Sequence, residues 1–285
     1  MIQDIGENVF RNEFSLHREP AAADKVIVYR AGEMLCCVEN NIIDFPKAEE
    51  LPDKYRERLT YLFEVGGEGF FLLLTDSDES PELAGNYTLG SIRKIRSTDP
   101  APQKYLFAAM TAQHLAEWHV SSRFCGRCGG ENIHDENERA MFCPECGKKV
   151  YPRIDPAVIV GVVKGDRLLI TRYRTGFAHN ALVAGFTEIG ESLEATVSRE
   201  VMEETGIKVK NIRYYKSQPW GMASNILAGF FCEADSDGSI HMDENELKYA
   251  EWLSSEEIVL QPYDHSLTNE MMKLFKKIGR GVLDR

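Results

Sequence analysis

Four cysteines constrain this chain more than any other feature. "FCGRCGG" and "FCPECGK" place Cys125, Cys128, Cys143 and Cys146 in the pattern C-x2-C-x14-C-x2-C. A CxxC turn directs two sulfurs toward one point, and the glycine after each second cysteine lets backbone N–H groups face them. Two such turns complete a tetrahedral thiolate site for one Zn²⁺ per chain. Four protein ligands leave no open position, so the role of the metal is structural. The bland alternative is four free thiols or a redox pair. A nucleic-acid-binding ribbon is the competing function, but "HDENER" between the two turns is acidic where such a module needs a basic face. The zinc reads as a staple between two domains. Cys36, Cys37 and Cys232 are left over, an odd set that fits a reducing compartment.

Composition sets outer bounds. A chain of 285 residues, 43% hydrophobic and 27% charged, has room for two or three compact units. Its net charge of −12 argues against broad charge-driven binding to nucleic acid or anionic membrane, though not against a small phosphate-bearing substrate held locally. "MIQDIGENVFRNEF" is polar, without a charged leader and apolar h-region, and runs such as "FFLLL" and "AVIVGVV" are too short to span a bilayer. A cytoplasmic protein with no membrane partner is the expectation.

Three segments follow from the pattern of apolar runs and turn residues. Residues 1–120 read as a mostly β N-terminal domain with strands at "KVIVYR", "EMLCCVE", "YLFEV" and "GFFLLLT", the last two joined across "GGEG". A helix in "TDPAPQKYLFAAMTAQHLAEWHVSS" carries the chain into the ribbon at 121–150. Over 151–285, "AVIVGVVKGDRLLITRYR" reads as a hairpin turning near Lys164–Asp166. A loop and helix come next, then strands at "IRYYKSQPW", "NILAGFFCEA" and "AEWLS", and a last helix in "LTNEMMKLFKKI". Strands mixed with helices in this order indicate an α+β domain of layered α/β type.

The chemistry concentrates in "GFTEIGESLEATVSREVMEETGI". Glu200, Glu203 and Glu204 fall within an arc of roughly 100° on a helix. Uncompensated like charges at such spacing cost about 0.2–0.5 kcal/mol per pair. By itself the pattern fits a solvated helix face, but Leu193, Val197 and Val201, spaced by four, form an apolar stripe beside the acids. Gly185 and Gly190 keep the preceding loop tight enough for backbone carbonyls to approach the same point. Hard carboxylate oxygens suit Mg²⁺ or Mn²⁺, with room left for a substrate phosphate.

Gly185, Glu191, Arg199-Glu200-Val201, Glu203-Glu204 and Gly206-Ile207 stand at every fixed position of the Nudix box. The chain thus resembles a Nudix hydrolase, which cleaves a nucleoside diphosphate linked to another group. The resemblance implies an α/β/α Nudix sandwich, with Glu200, Glu203 and Glu204 as the catalytic acids that hold the metals. It also implies the Ala184 carbonyl as a further ligand, and Arg199 pairing with a box glutamate to brace the loop. A diphosphate repels an attacking anion, and divalent cations neutralise that charge and acidify bound water.

Three further features resemble the NADH pyrophosphatase branch of that family: the ribbon directly before the Nudix segment, "YPRID" after the last cysteine, and "SQPW" at Ser217–Trp220. The branch continues S-Q-P-W with P-F-P-x-S, whereas this chain has Gly221, Met222, Ala223, Ser224 and Asn225, so a looser loop is expected. The resemblance carries substrate contacts onto Gln218, Pro219, Trp220 and those five positions. It also places Phe186 and Tyr151, the latter supplied by the partner subunit of a homodimer, for base stacking, and Glu138 as a substrate-contacting acid. Glu246 matches a distant metal-binding glutamate, with Glu244 close enough to be confused with it. Core packing, zinc-unit capping and solvated loop charge are the bland alternatives for these residues. The expected reaction splits NADH or NAD⁺ into nicotinamide mononucleotide and AMP, and NAD-capped RNA ends present the same bond. Rival readings are a Nudix hydrolase for ADP-ribose or a dinucleoside polyphosphate, and a zinc-ribbon protein that only senses nucleotide.

Overall fold

Aromatic and β-branched residues separated by turn residues make the first part of the chain a sheet. The computed structural model describes all residues except His17, Ser77, Asp78, Ser80, Phe177, Ser236 and Arg285. Strands β1 (Phe10–Arg11), β2 (Lys25–Arg30), β3 (Glu33–Glu39) and β4 (Ile42–Asp44) are followed by a helical turn α1 (Asp53–Arg56). β5 (Thr60–Val65), β6 (Glu68–Leu74) and β7 (Thr88–Ser91) complete the sheet. The strand path is β1-β5-β6-β2-β3-β4, with β7 paired to β3. Among the described residues of this sheet, β2 and β6 are the one parallel pair. The β5–β6 hairpin turns on Gly66 and Gly67, both in the left-handed region at φ 59° and 84°. This is the "GGEG" turn expected from the sequence.

Alternation sends side chains to both faces of that sheet. Val26, Val28, Phe71 and Leu73 pack with Leu51 and Tyr55. Phe63 and Phe70 stack at 5.4 Å, and Phe10 joins Phe63 to Phe107 with centroids 5.5 and 5.0 Å apart. Phe107 lies on α3 (Gln103–Ser121), which follows the short helix α2 (Ile92–Ser97). β8 (Ile133–His134), β9 (Met141–Phe142) and β10 (Lys149–Val150) form the small sheet of the cysteine ribbon, in order β10-β9-β8.

The last part of the chain builds a second sheet from β11 (Asp155–Lys164), β12 (Arg167–Tyr173), β13 (Val183–Phe186), β14 (Val209–Trp220), β15 (Asn225–Ala234) and β16 (Leu247–Ser254). Its path is β14-β15-β11-β12-β16, with β13 paired to β11. β11 is buried from Ala157 to Val163 because strands flank it and helices cover it. Val158, Val160, Val162, Ala228, Phe230 and Cys232 face the stripe Leu193, Val197 and Val201 of α4 (Leu193–Thr205). On the other face, Gly229 lies against Leu267 and Met271 of α5 (Leu267–Ile278). The sheet therefore lies between helices, the α/β/α arrangement expected, preceded by the mostly β part and the ribbon.

α4 starts where the Ser192 hydroxyl accepts the Ala195 N–H and stops where Gly206 turns left-handed at φ 69°. By compactness the chain divides into two units. One holds Gln3–Arg153 with Trp220–Ser224, and the other holds Met1–Ile2, Ile154–Pro219 and Asn225–Arg285. The ribbon is thus compact with the N-terminal sheet. Among the described residues no helix is long and apolar enough to cross a membrane.

Candidate active site and zinc centre

The two CxxC turns fold alike. Gly129 N–H donates to the Cys125 carbonyl and Gly147 N–H to the Cys143 carbonyl, each at 2.9 Å, with both glycines left-handed. These turns bring all four sulfurs within 4.8 Å of one another, the only such group of His, Cys, Asp or Glu among the described residues. Cys125 and Cys146 sulfurs are 3.6 Å apart, and those of Cys128 and Cys143 are 3.4 Å apart. A tetrahedron of 2.3 Å Zn–S bonds has edges of roughly 3.8 Å, so the donor set fits one Zn²⁺. Backbone N–H groups of Arg127 and Cys128 pull the Cys125 thiol down to about 6, toward the thiolate that zinc needs.

The acid face of α4 is organised by Arg199. Its Nε and Nη2 donate to the two oxygens of Glu191 at 2.7 and 3.0 Å, and Nη1 donates to Glu200 at 2.8 Å and Glu203 at 2.9 Å. Nη2 also reaches the Phe186 carbonyl at 2.8 Å, which ties β13 to the helix. The loop brace expected of Arg199 is present. It holds the Glu191 carboxyl down at about 2.

The three helix acids have different surroundings. Glu203 points outward with its side chain 59% exposed. Glu200 lies over β13 so closely that a Cβ on Gly185 would fall 1.9 Å from its carboxyl carbon. Glycine at 185 therefore opens the space that this carboxylate occupies. Glu204 is only 2% exposed. Burial pushes its carboxyl up to about 8, and the charges of Glu246 and Glu200 push the same way. Burial raises Glu200 as well, with smaller pushes from the charges of Glu203 and of Glu246, which lies in the turn before β16. Half-buried Glu200 and buried Glu204, with the Ala184 backbone alongside, offer hard oxygens of the kind a divalent cation takes. Tyr173, which the sequence reading passed over, adds its hydroxyl between Ala184 and Glu204.

The other candidates are scattered. Tyr151 is exposed and donates its hydroxyl to Glu138, which also accepts from Lys149 at 2.9 Å. Phe186 has an exposed ring at the end of β13. Gln218 is fully buried, donating to the His265 carbonyl at 2.7 Å and accepting the Leu267 N–H at 2.6 Å, so its amide organises the start of α5. Pro219 is exposed, and Asn225 is buried at the head of β15 opposite Asp155. Trp220 to Ser224 belong to the other unit. There the Arg96 guanidinium lies 5.0 Å from the Trp220 ring centre and 4.0 Å from the Met222 sulfur. Gly221 to Ala223 form one 3-10 turn closed by left-handed Ser224. Losing the prolines has not left this segment without an anchor, since it is seated on α3.

The sequence matches the NUDIX domain family over residues 153–275 and the NADH pyrophosphatase zinc ribbon domain over residues 121–151. It is 40% identical over 184 residues to the NAD-capped RNA hydrolase NudC of Escherichia coli O1:K1, covering 64% of this chain and 69% of that protein. The chain belongs to the Nudix hydrolases, in the zinc-ribbon branch. The NAD-capped RNA hydrolase NudC of Shigella flexneri is 41% identical over 179 residues, 62% of this chain and 67% of the relative. Among solved structures, a NUDIX hydrolase from Nitrosomonas europaea aligns with a TM-score of 0.47 at 22% identity, over 54% of this Nudix chain and 90% of its own.

Two outcomes follow. Cys128→Ser removes one of four thiolates, so zinc content by elemental analysis should fall well below one per chain and thermal unfolding should begin earlier. Full zinc occupancy in the variant would refute the assignment. With zinc retained and Mg²⁺ and Mn²⁺ withheld, Glu204 keeps a proton in the folded state between its ordinary 4.5 and about 8. The unfolded chain has already released it, so wild-type stability should decline as pH rises through that window. Glu204→Gln should flatten the decline and be the more stable protein at pH 9. Parallel wild-type and variant unfolding curves would show that Glu204 is not the group.

Proposed function

We propose that this Nudix enzyme is a metal-dependent dinucleotide pyrophosphatase that cleaves NADH and NAD⁺ to nicotinamide mononucleotide and AMP and removes NAD caps from RNA. The observation that carries the reading is the placement of Glu200 and Glu204, half-buried and buried, against the Ala184 segment of β13. The zinc ribbon joined to it, and the similarity to proteins named NAD-capped RNA hydrolases, support the choice of bond.

In this reading Glu200, Glu203, Glu204 and the Ala184 carbonyl hold Mg²⁺ or Mn²⁺, with Glu246 as the distant ligand. The charge of Glu246 is among those acting on Glu200 and Glu204, which favours Glu246 over Glu244. The cations supply charge neutralisation at the diphosphate and an acidified water. Arg199 keeps Glu200 turned toward β13, and Phe186 presents an exposed ring to a base. Tyr151 with Glu138, and the segment Gln218–Asn225, are proposed as substrate contacts by resemblance. The buried Gln218 would act there through the backbone that it orders.

Function divides the chain near residues 120 and 150, with zinc structural and a homodimer completing each site. Light scattering that finds only monomer would remove the role of the partner's tyrosine. The free Cys36, Cys37 and Cys232 favour a cytoplasmic location.

The decisive experiment is product analysis with Mg²⁺ or Mn²⁺. NADH should give AMP and reduced nicotinamide mononucleotide without free nicotinamide or inorganic phosphate. Glu200→Gln should lose about 10²–10³-fold in turnover, as expected when transition-state charge loses its stabilisation. Glu194→Gln, exposed in the first turn of α4, should change little. Inert NADH and NAD⁺ beside rapid ADP-ribose cleavage would overturn the substrate assignment.

A further inference from the structure

Tyr173 ends β12 at the one irregular step of its ladder with β16. Arg172 pairs with Tyr249 and Tyr173 with Leu247, so Lys248 is an extra residue on β16. A bulge of this kind bends a strand and re-aims the side chains around it. At this bend the Arg174 N–H donates to the Glu246 carbonyl at 2.8 Å, which holds Glu246 next to the end of β12. The Tyr173 hydroxyl lies 3.0 Å from the Ala184 N–H, 3.1 and 3.3 Å from the two carboxylate oxygens of Glu204, and 3.3 Å from the Ala184 carbonyl oxygen.

A phenol has one proton to donate and lone pairs to accept with. Ala184 N–H fills a lone pair, and the Glu204 carboxyl offers the nearest acceptor oxygen for the proton. That direction leaves the Ala184 carbonyl lone pairs uncommitted by the hydroxyl. One oxygen atom thus connects the backbone N–H of Ala184 on the strand and the Glu204 carboxyl on the helix, which would otherwise be set independently. Nothing in the spacing of the family box places a tyrosine there, since residue 173 lies twelve positions before Gly185 on a different strand.

We infer that Tyr173 is a positioning residue, whose hydroxyl sets the Ala184 carbonyl and the Glu204 carboxylate in register to receive the divalent cation. This rests on the reading of the site as metal-dependent. Groups that orient a ligand from behind are commonly worth 10–100-fold in metal affinity.

The test uses full-length, zinc-loaded protein and Mn²⁺ followed by electron paramagnetic resonance. Tyr173→Phe keeps the ring and removes the oxygen. The Mn²⁺ dissociation constant should rise about 10–100-fold. The Mn²⁺ concentration for half-maximal NADH cleavage should rise by the same factor, with kcat at saturating Mn²⁺ changed far less. Tyr215→Phe deletes a hydroxyl bond to Glu270 at 3.1 Å in the same unit and should leave Mn²⁺ affinity at the wild-type value. Should Tyr173→Phe fail to fold, Tyr173→Met fills the space without a hydroxyl and gives the same readout. Unchanged Mn²⁺ affinity in the folded variant, whatever its melting temperature, would overturn the inference and leave the metal site itself standing. Wild-type protein that binds no Mn²⁺ outside the zinc ribbon would overturn both.

Discussion

One guanidinium makes the acidic face of α4 possible. Arg199 has five N–H donors, and five bonds are formed: two to Glu191, one each to Glu200 and Glu203, and one to the Phe186 carbonyl. The fork is therefore saturated. A lysine has three donors around one point and would match neither the count nor the planar geometry. The consequence is a division of labour among the acids. Glu191, Glu200 and Glu203 divide the single positive charge of the arginine, and Glu204 is left to the Tyr173 hydroxyl. The helix acid without a bond to the arginine is also the most buried of the three.

The parts legible in the sequence were those where chemistry fixes spacing. Two CxxC turns must converge, and the box acids must share an arc of helix, so both were readable from position alone. The apolar stripe at Leu193, Val197 and Val201 was equally plain because a helix has one period. β13 was less visible, being four residues of "VAGF" inside what reads as a loop, held as a strand only by its ladder to β11. Tyr173 carried no signal at all. A tyrosine ending a strand is common, and its importance depends on a bulge made by Lys248 on another strand.

"SQPW" shows a different limit. A motif can be recognised correctly while the reason for each residue stays hidden. Gln218 faces inward to the backbone of α5, and Trp220 sits under Arg96 in the other unit. The change from the branch pattern at 221 also has a steric reason. A Cβ at Gly221 would fall 2.0 Å from the Met110 carbonyl of α3, closer than any side-chain carbon can approach. Glycine here is what lets the segment lie on that helix.

The excursion of Trp220–Ser224 affects how the molecule is joined. The backbone leaves the α/β/α unit between Pro219 and Trp220 and returns at Asn225, long after the N-terminal sheet has been synthesised. Neither unit is therefore a continuous stretch of sequence. Closing the contact between Gly221 and Met110 needs a long loop to be ordered, which makes it a late event in assembly and a slow one compared with local hairpins. A cut after the ribbon, where the sequence offers an obvious boundary, would strip α3 of its cover and leave five residues projecting from the catalytic sheet. The modular look of the sequence therefore does not match the way its segments are shared between the two compact units.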